Sequence, residues 1–162
     1  MSIFREFENA DAFAAGAVGQ PGARTFYLQV RGENESISIK CEKEQVLALA
    51  TFLRKMLADA PSVTDPLRQT PTIVEPEVAE FALGSVGLAY DRGDDRVILQ
   101  FEEIAPEEDE DADVSKVRIR ITRAQAMAFC ENADHLVRAG RPPCVYCGLP
   151  MNRDGHACPR MN

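Results

Sequence analysis

The residues best equipped for chemistry lie near the carboxyl end. Cys144, Cys147, His156 and Cys158 form a C-x2-C-x8-H-x-C arrangement. Two cysteines separated by two residues turn their sulfurs toward a common point, and Gly148 permits the tight turn behind them. Asp154 and Gly155 supply a second turn just before His156. Four soft or borderline donors in so short a segment predict a closed, structural Zn2+ site of zinc-ribbon-like or zinc-knuckle-like form. With all four positions filled by protein, no place is left for an activated water, so a catalytic metal is not expected. A Cys144–Cys147 redox pair is the competing reading, and it leaves His156 and Cys158 without a role. Large apolar residues are scarce here (Val145, Tyr146, Leu149, Met151), so folding of the segment would be coupled to the metal.

A second constellation could hold an anion. Gly19, Pro21 and Gly22 make a turn whose backbone N–H groups can face a ligand, and Arg24 and Arg31 follow it. Arg118 and Arg120 alternate on a later strand-like run, so Gly22, Arg24, Arg31, Arg118 and Arg120 are the candidate anion-binding residues. The turn lacks the lysine and hydroxyl pair of a phosphate loop and precedes a strand, which favours a structural turn. Cys41, at a strand–helix junction, and Cys130, on an apolar helix face, read as packed thiols. His135 stands on a polar helical side. No Cys/His or Ser/His/Asp relay is visible, and no catalytic residue is assigned.

These residues are positioned by a recognisable run of elements. Arg24–Arg31 and Glu35–Lys40 read as strands around a turn at 32–34, with Ile37 and Ile39 alternating with Ser36, Ser38 and Lys40. From Glu42 to Ala58 the period becomes helical, with Val46, Leu49, Ala50, Leu53, Met56 and Leu57 on one stripe. Pro61, Pro66, Pro71 and Pro76 mark a connector that crosses an edge or covers a surface, and Glu77–Leu83 reads as a short helix. Val86–Tyr90 and Arg96–Glu103 form a hairpin around DRGDD, and Val117, Ile119 and Ile121 mark another strand. A second helix is predicted from Arg123 to Arg138, with Thr122 as cap and Gln125 in capping-box position. Aligning Cys41 with Thr122 suggests a duplication, but the inward strand faces then disagree by one residue, so the repeat reads as weak. The expected architecture is α+β: a mostly antiparallel sheet of about five strands with two covering helices in residues 1–140. A small zinc-binding tail is expected in 141–162.

Charge and composition narrow the function. The 162 residues carry 18 Lys/Arg and 26 Asp/Glu, a formal net charge of −8. Eight of the carboxylates are Glu102, Glu103, Glu107, Glu108, Asp109, Glu110, Asp111 and Asp113, and the remaining 18 acidic residues balance the 18 basic ones. So dense a cluster suits an exposed loop, and it lacks the glycine and ligand spacing of a calcium loop. No apolar run nears the roughly 20 residues that span a bilayer, and the amino end has no export pattern. A cytoplasmic protein without membrane contact is expected. Arg141, Arg153 and Arg160 tint the tail basic, but Tyr146 is its one aromatic platform, so nucleic acid is a disfavoured partner.

The stretch Pro21-Gly22-Ala23-Arg24-Thr25-Phe26-Tyr27-Leu28-Gln29, the acidic passage before the second helix, and the carboxyl-terminal motif carry a family likeness. That motif runs from Gly140-Arg141-Pro142-Pro143-Cys144 to His156-Ala157-Cys158-Pro159-Arg160. Together they resemble the DUF3090 family of uncharacterised actinobacterial proteins over nearly the whole chain. The resemblance implies a cytoplasmic protein with a carboxyl-terminal zinc-binding signature, and it supplies no reaction, substrate or catalytic residue. The leading expectation is a non-enzymatic binding or adaptor protein with a structural zinc, meeting a protein partner through the zinc tail, the acidic loop or the proline-rich connector. The alternatives are an enzyme acting on a small phosphorylated or anionic metabolite and a nucleic-acid-associated zinc protein.

Overall fold

In chain order the elements are β1 (Phe4–Phe7), β2 (Ala12–Val18), β3 (Thr25–Gly32), β4 (Glu35–Cys41), α1 (Lys43–Asp59), β5 (Leu83–Asp91), β6 (Arg96–Glu103), β7 (Lys116–Ile121) and α2 (Arg123–Arg138). The structure is a computed structural model and describes residues 2–20, 22–76, 78–109, 111–138, 145–147 and 158. The α+β class holds, with a correction: among the described residues seven strands form two sheets, of order β1-β7-β6-β5 and β2-β3-β4. Between the described strands the pairings are antiparallel except β1 with β7, and an isolated bridge of Ala82 to Lys40 is also parallel. The zinc-ribbon-like segment is not found among the described residues, and most of the expected tail, with the boundary at 140/141, lies outside them. The helix expected over Glu77–Leu83 is also corrected. Glu77 lies outside the described residues, and residues 80–82 run extended beside β4, with Lys40 N–H donating to Phe81 O (3.0 Å) and Glu80 N–H to Ser38 O (2.8 Å).

Alternation along each strand sends one face of both sheets into a common core. Cross-strand rows Val97–Ile121, Leu99–Ile119 and Phe101–Val117 lie inside the four-stranded sheet, and Leu28–Ile39 and Val30–Ile37 inside the other. The helices add Val46, Leu49, Leu53, Ala126 and Phe129, each buried. Phe13 joins the layers, stacked on Phe129 at 4.6 Å and tilted against Phe101 at 5.7 Å. The hairpin between β3 and β4 turns on Glu33 and Asn34, whose φ angles of 53° and 65° fit a two-residue turn of the primed kind that strand twist favours.

The repeat that reads as weak in one alignment is regular in another. Matching Glu42 with Thr122, one residue from the Cys41 alignment, places Gln45 on Gln125 and the inward Ile37, Ile39 and Cys41 on Val117, Ile119 and Ile121. The sheet registers then agree row by row: Ala15–Leu28–Ile39 corresponds to Leu88–Leu99–Ile119, and Ala14–Gln29–Ser38 to Gly87–Gln100–Arg118. The helix starts repeat as well. Glu42 N–H donates to Gln45 Oε1 and Thr122 N–H to Gln125 Oε1, both at 2.8 Å. Each glutamine then donates its Nε2–H to a carbonyl ahead of the other half's meander, Gln45 to Leu83 O (3.0 Å) and Gln125 to Ala10 O (2.8 Å). The lead segments cross over in the same way: β1 pairs in parallel with β7, and Ala82 bridges in parallel to Lys40 of β4. Ala50 and Cys130 are equivalents and touch, Cys130 Sγ–H reaching Ala50 O at 3.5 Å, so the helices meet about a pseudo-twofold axis.

The halves differ in what lies outside them. The tight β3–β4 turn corresponds to residues 104–115; of the acidic cluster expected as a loop, Glu102 and Glu103 lie half-buried in β6, and Glu107, Glu108, Asp109, Asp111 and Asp113 are exposed. The proline-rich connector crosses the outer face of β2-β3-β4. Gln29, 4% exposed, pairs with Val74 as a strand would, Nε2–H donating to Val74 O (2.8 Å) and Oε1 accepting from Val74 N–H (2.9 Å). Arg31 Nη2–H donates to Thr72 O at 3.1 Å. Gly16 makes the space: a Cβ there would stand 2.3 Å from Ile73 Cγ1. Gly16→Val should therefore cost about 1–3 kcal/mol by overpacking and open the connector to proteolysis while the body stays folded. Urea unfolding and limited digestion check this; an unchanged midpoint and cleavage pattern would contradict the packing described.

Candidate functional site

The residues expected to gather an anion occupy two separate places. Gly22, with φ of 92°, and Gly19, with φ of 109°, shape a turn in which Ala23 N–H donates to Gln20 O at 2.8 Å. Arg24 lies over the Phe26 ring, 5.0 Å from its centroid, and donates to Leu136 O at 3.4 Å. Arg31 holds the connector. Arg118 and Arg120 stand together on the outer face of the other sheet. Arg120 is bound by Asp91 (3.2 Å) and Asp94 (3.0 Å), while Arg118 donates through Nε and Nη2 to Gln100 Oε1 (3.2 and 2.9 Å) and lies 3.7 Å from Glu6. The structure thus brings Arg118 and Arg120 together and leaves Gly22, Arg24 and Arg31 elsewhere.

The zinc expectation is corrected. Cys144 and His156 lie outside the described residues, and Cys147 and Cys158 lie within them. Among the described residues no three His, Cys, Asp or Glu side chains converge to hold a metal ion, so a structural Zn2+ site is not indicated. The spacing supplies donors, but a tetrahedral site requires them to converge. His135 is exposed, as its helical side predicts. Cys41 and Cys130 are buried, and burial pushes their thiols up to about 12 and about 11, which withholds the thiolate needed for nucleophilic work.

The DRGDD turn fastens the β5–β6 hairpin to α2. Asp95 takes both Arg123 donors (2.7 and 3.1 Å) and the Tyr90 hydroxyl (2.5 Å). The Arg123 guanidinium, then Tyr90, holds the Asp95 carboxyl down at about 2. Asp91 is also lowered, first by the Asp94 N–H and then by Arg120.

Beside a charged hollow of about 520 Å3 lined by Glu6, Glu8, Asn9, Asp94, Arg96 and Arg120, there are two concave surfaces with apolar lining, and neither is legible as a motif. One, of about 480 Å3, runs between α1 and the edge strand β5. Ala48, Leu49 and Phe52 form one wall and Leu83, Val86 and Leu88 the other, with Gln45 and Gly84 at one end. Phe52 is 57% exposed and Val86 36%. The equivalent place in the other half is closed. There Ala128, Phe129 and Asn132 meet Phe13 and Ala15, and Asn132 Oδ1 accepts the Ala15 N–H at 2.7 Å. The sequence signal for this groove is Phe52, an aromatic flanking the apolar stripe of α1. The second surface is the outer face of β5-β6-β7, a hollow of about 400 Å3 with an apolar floor over Gly87, Ala89 and Ile98 and with Gln100, Arg118 and Arg120 beside it.

Two outcomes follow. Because the folded Asp95 carboxyl lies below its ordinary 3.8, its contribution is complete above that value and lost as pH falls toward 2. The Tm gap between the natural protein and Asp95→Asn should therefore close between about pH 4 and pH 2; a gap independent of pH would contradict the pairing. Cys41 and Cys130 should react with a thiol reagent at pH 8 at least about 100-fold faster in denaturant than in the folded chain, and equal rates would contradict their burial.

No curated protein and no solved structure matches the chain. A family model, described as "Protein of unknown function (DUF3090)", matches residues 5–158. With the match spanning nearly all of the duplicated body and reaching Cys158, the chain belongs to the DUF3090 family.

Proposed function

We propose that the protein is a non-enzymatic binding or adaptor module, and that the groove between α1 and β5 is its contact surface for a protein partner. The supporting observation is the open state of this groove beside its closed counterpart. The same helix–strand position that α2 and β2 fill with Phe13, Phe129 and Asn132 is lined on the other side by Phe52, Val86 and Leu88 around an empty concavity. An exposed aromatic lining an apolar concavity is the composition of an interaction hot spot. β5 is an edge strand among the described residues, and beyond Leu83 its outer edge offers backbone groups that a partner strand could use. The connector, expected as a contact, is instead held on β3 through Gln29 and Arg31, which favours the groove over it.

The test separates binding from folding. Phe52→Ser should change stability by less than about 1 kcal/mol, because the ring is exposed. It should weaken capture of the partner by at least about tenfold, as an aromatic anchor does. A photo-crosslinking residue at position 52 or 86 should yield one saturable adduct, and the same residue at His135 should not. Adducts of equal yield at all three positions, or Phe52→Ser binding as well as the natural chain, would overturn the reading.

A further inference from the structure

The duplication supplies a template for a second surface, independent of the groove. On the outer face of β2-β3-β4 the row Ala14–Gln29–Ser38 carries an extended segment of the chain itself. Gln29 reads both backbone groups of Val74, and the missing side chain at Gly16 receives Ile73. The corresponding row on the other sheet is Gly87–Gln100–Arg118, and Ala89 stands where Gly16 stands. The floor is again small, the amide is again central, and a Cβ added at Gly87 would meet nothing closer than Gln100 at 3.8 Å. No described segment is paired across this face as Val74 is paired across the other.

The charges differ between the two faces in a way that specifies the occupant. Ser38 is replaced by Arg118, whose two closest bonds both go to one neutral oxygen, Gln100 Oε1. Its nearest paired carboxylate, on Glu6, is 3.7 Å away. A guanidinium fork matches a carboxylate better than an amide oxygen, so a carboxylate arriving here would release Gln100 Oε1 to accept from a peptide N–H, while Gln100 Nε2, which donates to Glu102 Oε1 at 3.0 Å, would exchange that bond for the peptide carbonyl. We propose that the uncovered outer face of β5-β6-β7 binds an extended peptide segment of a partner protein, one carrying an aliphatic side chain beside a carboxylate. The aliphatic side chain would sit over Gly87 and Ala89, the peptide group would pair with Gln100, and the carboxylate would take the Arg118 fork.

The connector's own sequence provides the probe, since Glu75 follows Ile73 and Val74. A capped peptide Thr-Pro-Thr-Ile-Val-Glu-Pro, matching 70–76, is titrated into the full-length chain and amide shifts are followed by NMR. Saturable shifts at Gly87, Ala89 and Gln100, with a Kd on the order of 1 mM or tighter, are expected. Replacing the peptide isoleucine by serine should weaken binding about tenfold, and Ala89→Leu in the protein should do the same by filling the floor. Arg118→Gln should weaken the glutamate peptide several-fold and leave a glutamine version unchanged. Phe52→Ser must leave all of these values as they are, which separates this face from the groove. No saturation by about 5 mM peptide, shifts confined to the Gln29 face, or shifts confined to the α1–β5 groove would each overturn the proposal.

Discussion

The fold depends on satisfying two glutamine side chains. Gln125 is buried and Gln45 half-buried, and an amide withdrawn from water must find partners or cost on the order of 1–3 kcal/mol. Each finds them at the same two places, the N–H of its own helix cap and a carbonyl of the opposite half. The first bond fixes where the helix begins. The second ties that beginning to the segment that crosses over from the other meander. Because both halves use it, the two sheets are clasped at both ends of the shared core, and the helices are brought together at Ala50 and Cys130.

Once that clasp is made, the differences between halves become the informative part. Asn132 closes one helix–strand seam and Phe52 stands open at the other. The outer face of β2-β3-β4 is covered by a segment between Pro71 and Pro76, while the matching face carries Arg118, Arg120 and exposed glycine and alanine. A tight two-residue turn corresponds to the acidic loop. In a duplicated scaffold one copy of a contact can be left open, and the two uncovered surfaces are the places where the halves differ in this way.

Much of this was legible in the sequence where local rules dominate. α2 begins where its capping box requires, and α1 follows its stripe. Strand β2 was not legible, because AFAAGAV has no polar alternation: its outward Ala14 and Gly16 are small to admit the connector, so neither face looks like solvent. The repeat falls one residue out of register when the strand-end Cys41 is matched to Thr122, whereas the helix-start glutamines Gln45 and Gln125 carry the register that the strands share. Of the groove only Phe52, beside the apolar stripe of α1, left a trace in the sequence, since the concavity exists where two elements far apart in sequence fail to meet. The cysteine spacing named donors without placing them, and convergence is a property of three dimensions.

The most direct measurement is amide hydrogen exchange at Ala15 and Leu88, the two equivalent positions on the edge strands. Ala15 N–H is held by Asn132 at 2.7 Å and buried, while Leu88 faces the open groove. If one half is closed and its twin open, Ala15 exchanges at least about 100-fold more slowly than Leu88 in the free protein, reflecting a difference in local opening. Equal protection at the two sites would mean that the halves are equally closed, and the account of an open binding groove would fail.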